Sequence, residues 1–429
     1  MDVRIEKLVY GGDGLGHHDG NTVFVPLVLP GELVRIESAT RKKKFIRGRL
    51  DSVVEPSPER VAAPCPHFGR CGGCQYQHIP YEAQIRYKSE ILRETLGRVG
   101  RIQWTGPIGT HASPPFGYRN RAQWKLRPQP DGAAGSAAIG YFEMGSTRLC
   151  AATECSILSP RLAETFARLR QMVSQGQTLS AIDEIEAFTD SSGEKLLLNL
   201  SAERLTGSAE SISAALRQAV PNVESIFIQD RRADKFHLDG PGYLTYTVGG
   251  AQFRVGHLSF FQVNRFMVEP LVDAVIADTK GKLALDLFAG VGLFTVALTR
   301  QFERVIGVES NLAAAKDLET NLKASGGASP AARNITAEAF LSRWHEKPDL
   351  IVVDPPRAGV EVEALAHIKK LAPAHLHYVS CDPATLARDL AQLVGTNGAG
   401  PYLIESINLF DIFPQTYHME VLVRLRRSA

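Results

Sequence analysis

The sequence predicts a multidomain protein: an N-terminal OB-like β-barrel over residues 1–55, an α+β central domain over 56–262, and a C-terminal α/β Rossmann-like domain over 263–429. Three observations carry that prediction. Short β-rich runs lie between glycine turns at the start, prolines and clustered cysteines follow, and strand and helix patterns alternate from about residue 263 onward.

In the first segment, Thr22-Val-Phe-Val-Pro and Glu32-Leu-Val-Arg-Ile-Glu are separated by turns at Gly11-Gly12, Gly14, Gly16 and Gly31, with no long helical pattern. Arg41-Lys-Lys-Lys-Phe-Ile-Arg-Gly-Arg puts six cations in nine residues around one aromatic ring, which suits either a phosphate-contacting strip or a solvated hairpin. Pro56, Pro58, Pro64 and Pro66 then interrupt regular structure and mark a linker. Residues 80–97 return to helical spacing, with Tyr81, Ile85, Lys88, Ile91, Leu92 and Leu96 on one side. Residues 105–260 read as short strands with one helix near 159–175 and an exposed loop at 129–136. Beyond them come strands at Leu283–Phe288, Arg304–Val308, Leu350–Val353, Leu376–Ser380, Tyr402–Leu409 and Met419–Leu425, interleaved with helices, as a doubly wound sheet requires.

Composition narrows the function classes. With 429 residues, 44% apolar and 22% charged, the chain folds by core burial. Lys plus Arg total 48 against 46 Asp plus Glu, so the net charge of +2 gives no global field, and any grip on a polyanion is local. The start has two acids and no signal-like apolar run, and no stretch approaches the ~18 apolar residues of a membrane span. The expectation is a cytoplasmic monomer without membrane attachment. Six cysteines, at 65, 71, 74, 150, 155 and 381, then suit metal binding or catalysis better than disulfides.

Asp286-Leu-Phe288-Ala-Gly290-Val-Gly292-Leu-Phe-Thr is a buried strand running into a glycine turn, where open α/β sheets bind cofactors. A dinucleotide fingerprint needs a third glycine where Thr295 stands, which disfavours nicotinamide. Nineteen residues after Gly290, Glu309 ends the second strand and is placed to take both ribose hydroxyls of a nucleoside, which fits S-adenosylmethionine. Asp354-Pro-Pro-Arg ends the third strand and leaves two chemistries open, methylation of an amino group or of carbon. Cys381, at the end of the fourth, favours carbon. C5 of uracil is too weak a nucleophile for a sulfonium methyl group until a thiolate adds to C6, after which a base must remove the C5 proton.

The segments Ser380-Cys-Asp-Pro-Ala-Thr-Leu-Ala-Arg-Asp, Asp286 to Thr295, Asp354-Pro-Pro-Arg, Phe261-Gln-Val-Asn264 and His418-Met-Glu420 resemble, in order, the signature segments of the RNA 5-methyluridine methyltransferases. The likeness runs from about residue 1 to 425, and the first 55 residues resemble the TRAM barrel of that family. The resemblance implies a class I methyltransferase fold, with Cys381 as nucleophile and Glu420 as the base. It assigns Gln262, Phe288, Glu309 and Asp354 to the cofactor pocket, with Asp354 also at the uracil edge and Phe261 stacked on the base. Leu293 departs from an Asn found in some relatives, and an adenine contact is expected near Thr336-Ala-Glu-Ala.

Cys65, Cys71 and Cys74 have C-x5-C-x2-C spacing, and a fourth thiolate could come from Cys155 or Cys150, 81 or 76 residues beyond Cys74. Four thiolates suit zinc or an iron-sulfur cluster. The distant fourth ligand favours the cluster. Resemblance to the [4Fe-4S] segment of the family implies Cys155 as that ligand and leaves Cys150 free. The expected function is S-adenosylmethionine-dependent C5-methylation of a uridine flipped out of 23S rRNA. The alternatives are uridine 54 of tRNA, an amino-group methyltransferase acting through Asp354-Pro-Pro, and a non-catalytic iron-sulfur RNA-binding protein.

Overall fold

The computed structural model describes residues 1–41, 45–128, 137–175, 179–326, 330–395 and 399–428. Lys42 to Lys44 of the basic strip and the loop expected at 129–136 lie outside the described residues. β1 (Asp2–Leu8), β2 (Asp13–His18), β3 (Asn21–Pro26), β4 (Leu33–Arg41) and β5 (Phe45–Glu55) close in the order β1-β2-β3-β5-β4, so the expected barrel is present. Alternation decides its inside: Val3, Ile5, Val23, Val25, Val34 and Ile36 point inward. Two cations of the basic strip are held by the barrel itself, Arg47 by Asp13 at 2.7 Å and Arg49 by Glu37 at 2.6 Å. That part of the strip reads as a paired surface.

After the linker come α1 (Tyr81–Gly100), β6 (Ile108–His111), β7 (Arg121–Pro128), β8 (Ala137–Phe142), β9 (Leu149–Ala151), α2 (Pro160–Ser174), β10 (Glu184–Thr189), β11 (Leu196–Ala202), α3 (Ala209–Ala219), β12 (Val223–Asp230), β13 (Lys235–Asp239), β14 (Tyr243–Val248) and β15 (Ala251–Gly256). Seven of these strands form one sheet, β13-β12-β11-β10-β7-β8-β9. One of its faces buries Trp124, Leu198 and Ile226 against Phe166, Leu169 and Leu216 of α2 and α3. Ser159 caps α2 and Ser208 caps α3 through their side-chain oxygens, satisfying an amide that the first turn leaves open.

The C-terminal part comprises α4 (Val268–Ile276), β16 (Gly281–Leu287), α5 (Leu293–Leu298), β17 (Phe302–Glu309), α6 (Leu312–Ser325), β18 (Pro330–Asn334), α7 (Ala337–Leu341), β19 (Leu350–Val353), α8 (Val362–Leu371), β20 (His375–Ser380), α9 (Pro383–Val394), β21 (Tyr402–Phe410) and β22 (Glu420–Arg427). The sheet order is β18-β17-β16-β19-β20-β22-β21-β6. Its central strands are parallel and apolar on both faces. Leu285, Ile351 and Tyr378 enter one core, while Ala284, Val352 and Val379 enter the other.

The structure departs from the domain boundary at residue 262. β6 pairs with β21 in the C-terminal sheet, and α1 buries Ile91, Leu92 and Leu96 in the same core as Leu386 and Leu390 of α9. Residues 76–111 therefore belong physically with the C-terminal unit, because their apolar face finds its partners there. Among the described residues no helix is long and apolar enough to cross a membrane.

Candidate active site

Strand order reverses between β16 and β19, the chain running outward to β17 and β18 and then returning, which opens a crevice at the carboxyl ends of these strands. The chain leaves β16 through a turn with Phe288 at φ +64°, Gly290 at +57° and Gly292 at +93°. Phe288 is in the left-handed region that non-glycine residues seldom occupy. A Cβ at Gly292 would stand 2.6 Å from Leu318, so only glycine lets the turn lie that close to α6. At the end of β17, the Glu309 carboxylate accepts from the Gly290 amide at 2.8 Å and from the Asn311 amide at 2.6 Å. Each oxygen keeps a lone pair for a hydroxyl donor.

Register explains the chemistry opposite. β20 and β22 are antiparallel with Ser380 facing Val421, so the next pair outward is Cys381 and Glu420. Cys381 is thus set beside an acid contributed from a strand 39 residues later in a hairpin that no local pattern reveals. Burial pushes the Cys381 thiol up to about 12, and the charges of Glu420 and Asp354 add to the shift while Arg357 opposes it. Burial also raises Glu420, helped by Asp354, and raises Asp354, helped by Asp286. Glu420 Oε1 is buried without a hydrogen-bond partner. A buried, unpartnered carboxylate is more basic than usual, which suits it to take up a proton. Asp286, which accepts from the Thr295 hydroxyl, is pushed up to about 7, mainly by burial.

One cavity of about 800 Å³ brings together Phe261, Gln262, Phe288, Glu309, Asp354, Cys381 and Glu420, with Leu293 and Thr336 to Glu338 on its walls. The two adjacent phenylalanines there differ. Phe261 is 2% exposed and packs into an aromatic core, 4.6 Å from Tyr246 and 6.3 Å from Phe253 between ring centroids. Phe260 is 63% exposed and lines the same cavity. The ring free to stack on a base is therefore Phe260. Strand-like alternation across Ser259-Phe-Phe-Gln would have raised the question, but the sequence does not say which of the pair faces out.

Sequence reasoning also missed a contact from the barrel. Tyr10, in the β1–β2 turn, donates its hydroxyl to the Cys381 carbonyl at 3.3 Å and meets Tyr417 edge-on at 5.5 Å. A Cβ at Gly12 would approach Tyr417 to 3.1 Å, and its φ of +89° favours glycine. The segment 411–418 carries Phe413 and His418 to the cavity and is clamped from several elements. Lys88 of α1 forms a fully buried ion pair with Asp411 at 2.6 Å. Gln84 accepts from the Gln415 amide, Tyr118 donates to the Pro414 carbonyl, and Asn264 to that of Ile412. His418 is held down to about 4 by burial and by Arg357, so its ring is neutral near pH 7.

A second cavity, of about 190 Å³, is lined by Cys65, Cys71, Cys74 and Cys155 together with Arg119 and Tyr141. Cys150 is buried and does not line it. Burial pushes Cys71 and Cys74 up to about 12, and the neighbouring thiols add to this. Among the described residues no group of three or more His, Cys, Asp or Glu side chains is gathered tightly enough to hold a single metal ion. A tetrahedral ion with Zn–S near 2.3 Å would draw its sulfurs to within ~3.8 Å of each other.

The chain resembles known proteins over its whole length. A family model described as tRNA (Uracil-5-)-methyltransferase matches residues 80–428. A protein of Alkalilimnicola ehrlichii named 23S rRNA (uracil(1939)-C(5))-methyltransferase RlmD is 32% identical over 450 residues, covering 100% of this chain and 97% of the relative. One of the same name from Shewanella halifaxensis is 30% identical over 430 residues, covering 98% and 94%. The solved structure of Pyrococcus abyssi tRNA (uracil-54, C5)-methyltransferase in complex with S-adenosyl-L-homocysteine superposes with a TM-score of 0.77 at 23% identity, covering 99% of this chain and 100% of that one.

Proposed function

The chain belongs to the RNA uracil-5-methyltransferase family, and from that premise we propose that it methylates C5 of a uridine in 23S rRNA through a covalent bond between Cys381 and C6 of the base. The single observation that carries this reading is the juxtaposition of Cys381 and Glu420 in one cavity with Asp354 and the Gly290 turn.

Bound S-adenosylmethionine supplies an electrophilic methyl group and a positive charge. Glu309 and the Gly290–Gly292 turn hold its nucleoside, and Gln262 and Phe288 line the same pocket. Phe260 covers the uracil, and Asp354 bonds its edge. Cys381 Sγ adds to C6, the C5–C6 electron pair becomes an enolate, and C5 forms the new carbon-carbon bond as the sulfonium carbon-sulfur bond breaks. Glu420 removes the C5 proton, the C5–C6 double bond re-forms, and the Cys381–C6 bond breaks to return the thiolate. The energetic difficulty is the buried thiol, which the protein alone keeps protonated.

Cys65, Cys71, Cys74 and Cys155 would hold a [4Fe-4S] cluster. The cavity they share supports this, and the donor set is four thiols. Such a cluster would tie the linker to the central sheet, since methyl transfer is redox-neutral.

The ribosomal substrate is favoured by the names of full-length relatives at 30–32% identity. Mapping 5-methyluridine in total RNA from cells with and without the gene tests it. Loss at one 23S position is expected, and loss at a tRNA position alone would overturn the substrate assignment.

A further inference from the structure

The seven-stranded sheet has a second face. Its inner side is covered by α2 and α3, and the opposite side is covered over β10 and β11, where Phe188 and Leu197 pack against β14 and β15, but at its β12–β13 end it carries the half-buried Phe227 and the exposed Phe236, ring centroids 5.5 Å apart and stacked at 24°. Phe236 is 70% exposed, an unusual position for a phenylalanine that contributes to no core. Buried apolar residues explain folding. Exposed ones in a row ask for a partner.

These rings are joined to the catalytic cavity by an unbroken series of contacts. Phe227 lies 5.7 Å from the ring of His257. His257 lines a separate hollow of about 420 Å³, with Leu258 and Phe260 on its wall and Arg119 and Arg121 beside it. Leu258 and Phe260 also line the catalytic cavity. Arg121 is engaged by Glu186 at 2.6 Å. Among the described residues the Arg119 side chain makes one hydrogen bond, donated from Nε to the Arg121 carbonyl, which leaves both terminal nitrogens for an anion.

We propose that the nucleotides next to the target uridine leave the catalytic cavity over Phe260 and Leu258, occupy the Arg119–His257 hollow with a phosphate on Arg119, and stack a base on Phe236 at the exposed β12–β13 end of the sheet. The proposal rests on the reading of RNA as substrate and adds where the flanking strand runs. Aromatic rings on an open sheet bind single-stranded nucleic acid with little regard to sequence, because every base has a π-face. His257 is held down to about 4 by burial and by the charge of Arg121, so the hollow offers a neutral ring there.

The test uses the full chain and a fluorescein-labelled oligouridylate of about 12 nucleotides, within the ~4–16 typical of a single-strand site. Phe236→Ala should weaken binding about tenfold, the effect of losing one stacked base. It should raise KM for RNA with kcat unchanged and leave S-adenosylhomocysteine affinity as it was. Phe236→Trp should restore binding, and its emission should be quenched when the oligomer is added. Affinity for Phe236→Ala within about twofold of the unmodified chain, or no quenching of Phe236→Trp under saturating RNA, would overturn the proposal. Adduct formation with 5-fluorouridine RNA, measured alongside, separates the two readings. Weakened binding without any adduct would sustain the RNA track and remove the catalytic assignment. An adduct with unaltered binding would do the reverse.

Discussion

The protein has two cavities built around cysteine, and what surrounds the sulfur separates them. In the larger, a single thiol stands among buried carboxyls, and its upward shift comes from burial and then from Glu420 and Asp354. In the smaller, four thiols face one another, and burial is reinforced by the thiols themselves. Both environments suppress ionisation, but they are relieved differently. A lone thiol beside a base can form a bond to a substrate and be released again. Four thiols that would repel once ionised are stabilised together only by a cationic centre between them. On the proposed reading, the same residue type serves turnover in one place and coordination in the other.

The largest expected effect follows directly. Cys381→Ala should lower methylation by about 10³-fold or more while leaving the melting temperature nearly unchanged, since the covalent step has no substitute. Cys74→Ala should do the opposite, lowering folded yield and iron content while each folded molecule retains substantial turnover. Methylation assays and thermal unfolding on both variants decide it, and equal loss of turnover would erase the distinction.

Glu420→Gln comes next. Without the base, turnover should fall by about 10²–10⁴-fold, and the enzyme-RNA adduct should accumulate on a denaturing gel. Normal methylation with no adduct would remove Glu420 from the reaction.

Acidity gives an intermediate test. Cys381 is raised and must ionise before the irreversible methyl transfer, so kcat/KM should climb from about pH 6 to 9, toward about tenfold per unit at its steepest, while Glu420, acting later, enters kcat alone. A kcat/KM that is flat or falls over that range would contradict the role of Cys381.

The smallest effect concerns the barrel. Tyr10→Phe keeps the ring against Tyr417 and removes only the hydrogen bond to the Cys381 carbonyl, which should slow adduct formation by about 2–10-fold with RNA affinity unchanged. Tyr10→Ala should slow it further. No change in either would mean that the barrel serves RNA binding alone.

The C-terminal half was legible in the sequence because its strands are buried on both faces and its helices begin at recognisable caps. Leu350–Val353 is found as expected, α8 runs Val362–Leu371 against an expected Val362–Lys370, and Asp382 caps α9 through two backbone amides. The central region was not legible. Its sheet joins β11 to β12 in parallel and β10 to β7 from far along the chain, and such pairings leave no local period. The passage of β6 into the C-terminal sheet, where Ile108 meets Ile407, has the same cause. Of the site, Cys381, Glu420, Gln262, Phe288, Glu309 and Asp354 were all named from sequence and share one cavity. The family resemblance points to Phe261 while Phe260 is the exposed ring, because two adjacent identical residues carry no signal of which faces the core. Tyr10 was missed because its partner lies 371 residues away.

Mass spectrometry of the peptide containing Cys381 is the most direct probe of covalent catalysis. The full chain would be incubated with methyl donor and a 5-fluorouridine-substituted 23S rRNA transcript, with a substituted tRNA transcript in parallel. Fluorine at C5 cannot leave as a proton, so a methylated fluorouracil nucleotide should remain attached to Cys381 Sγ from at least one transcript. A peptide recovered free of any nucleotide, from protein that methylates the unsubstituted RNA, would contradict the Cys381 mechanism.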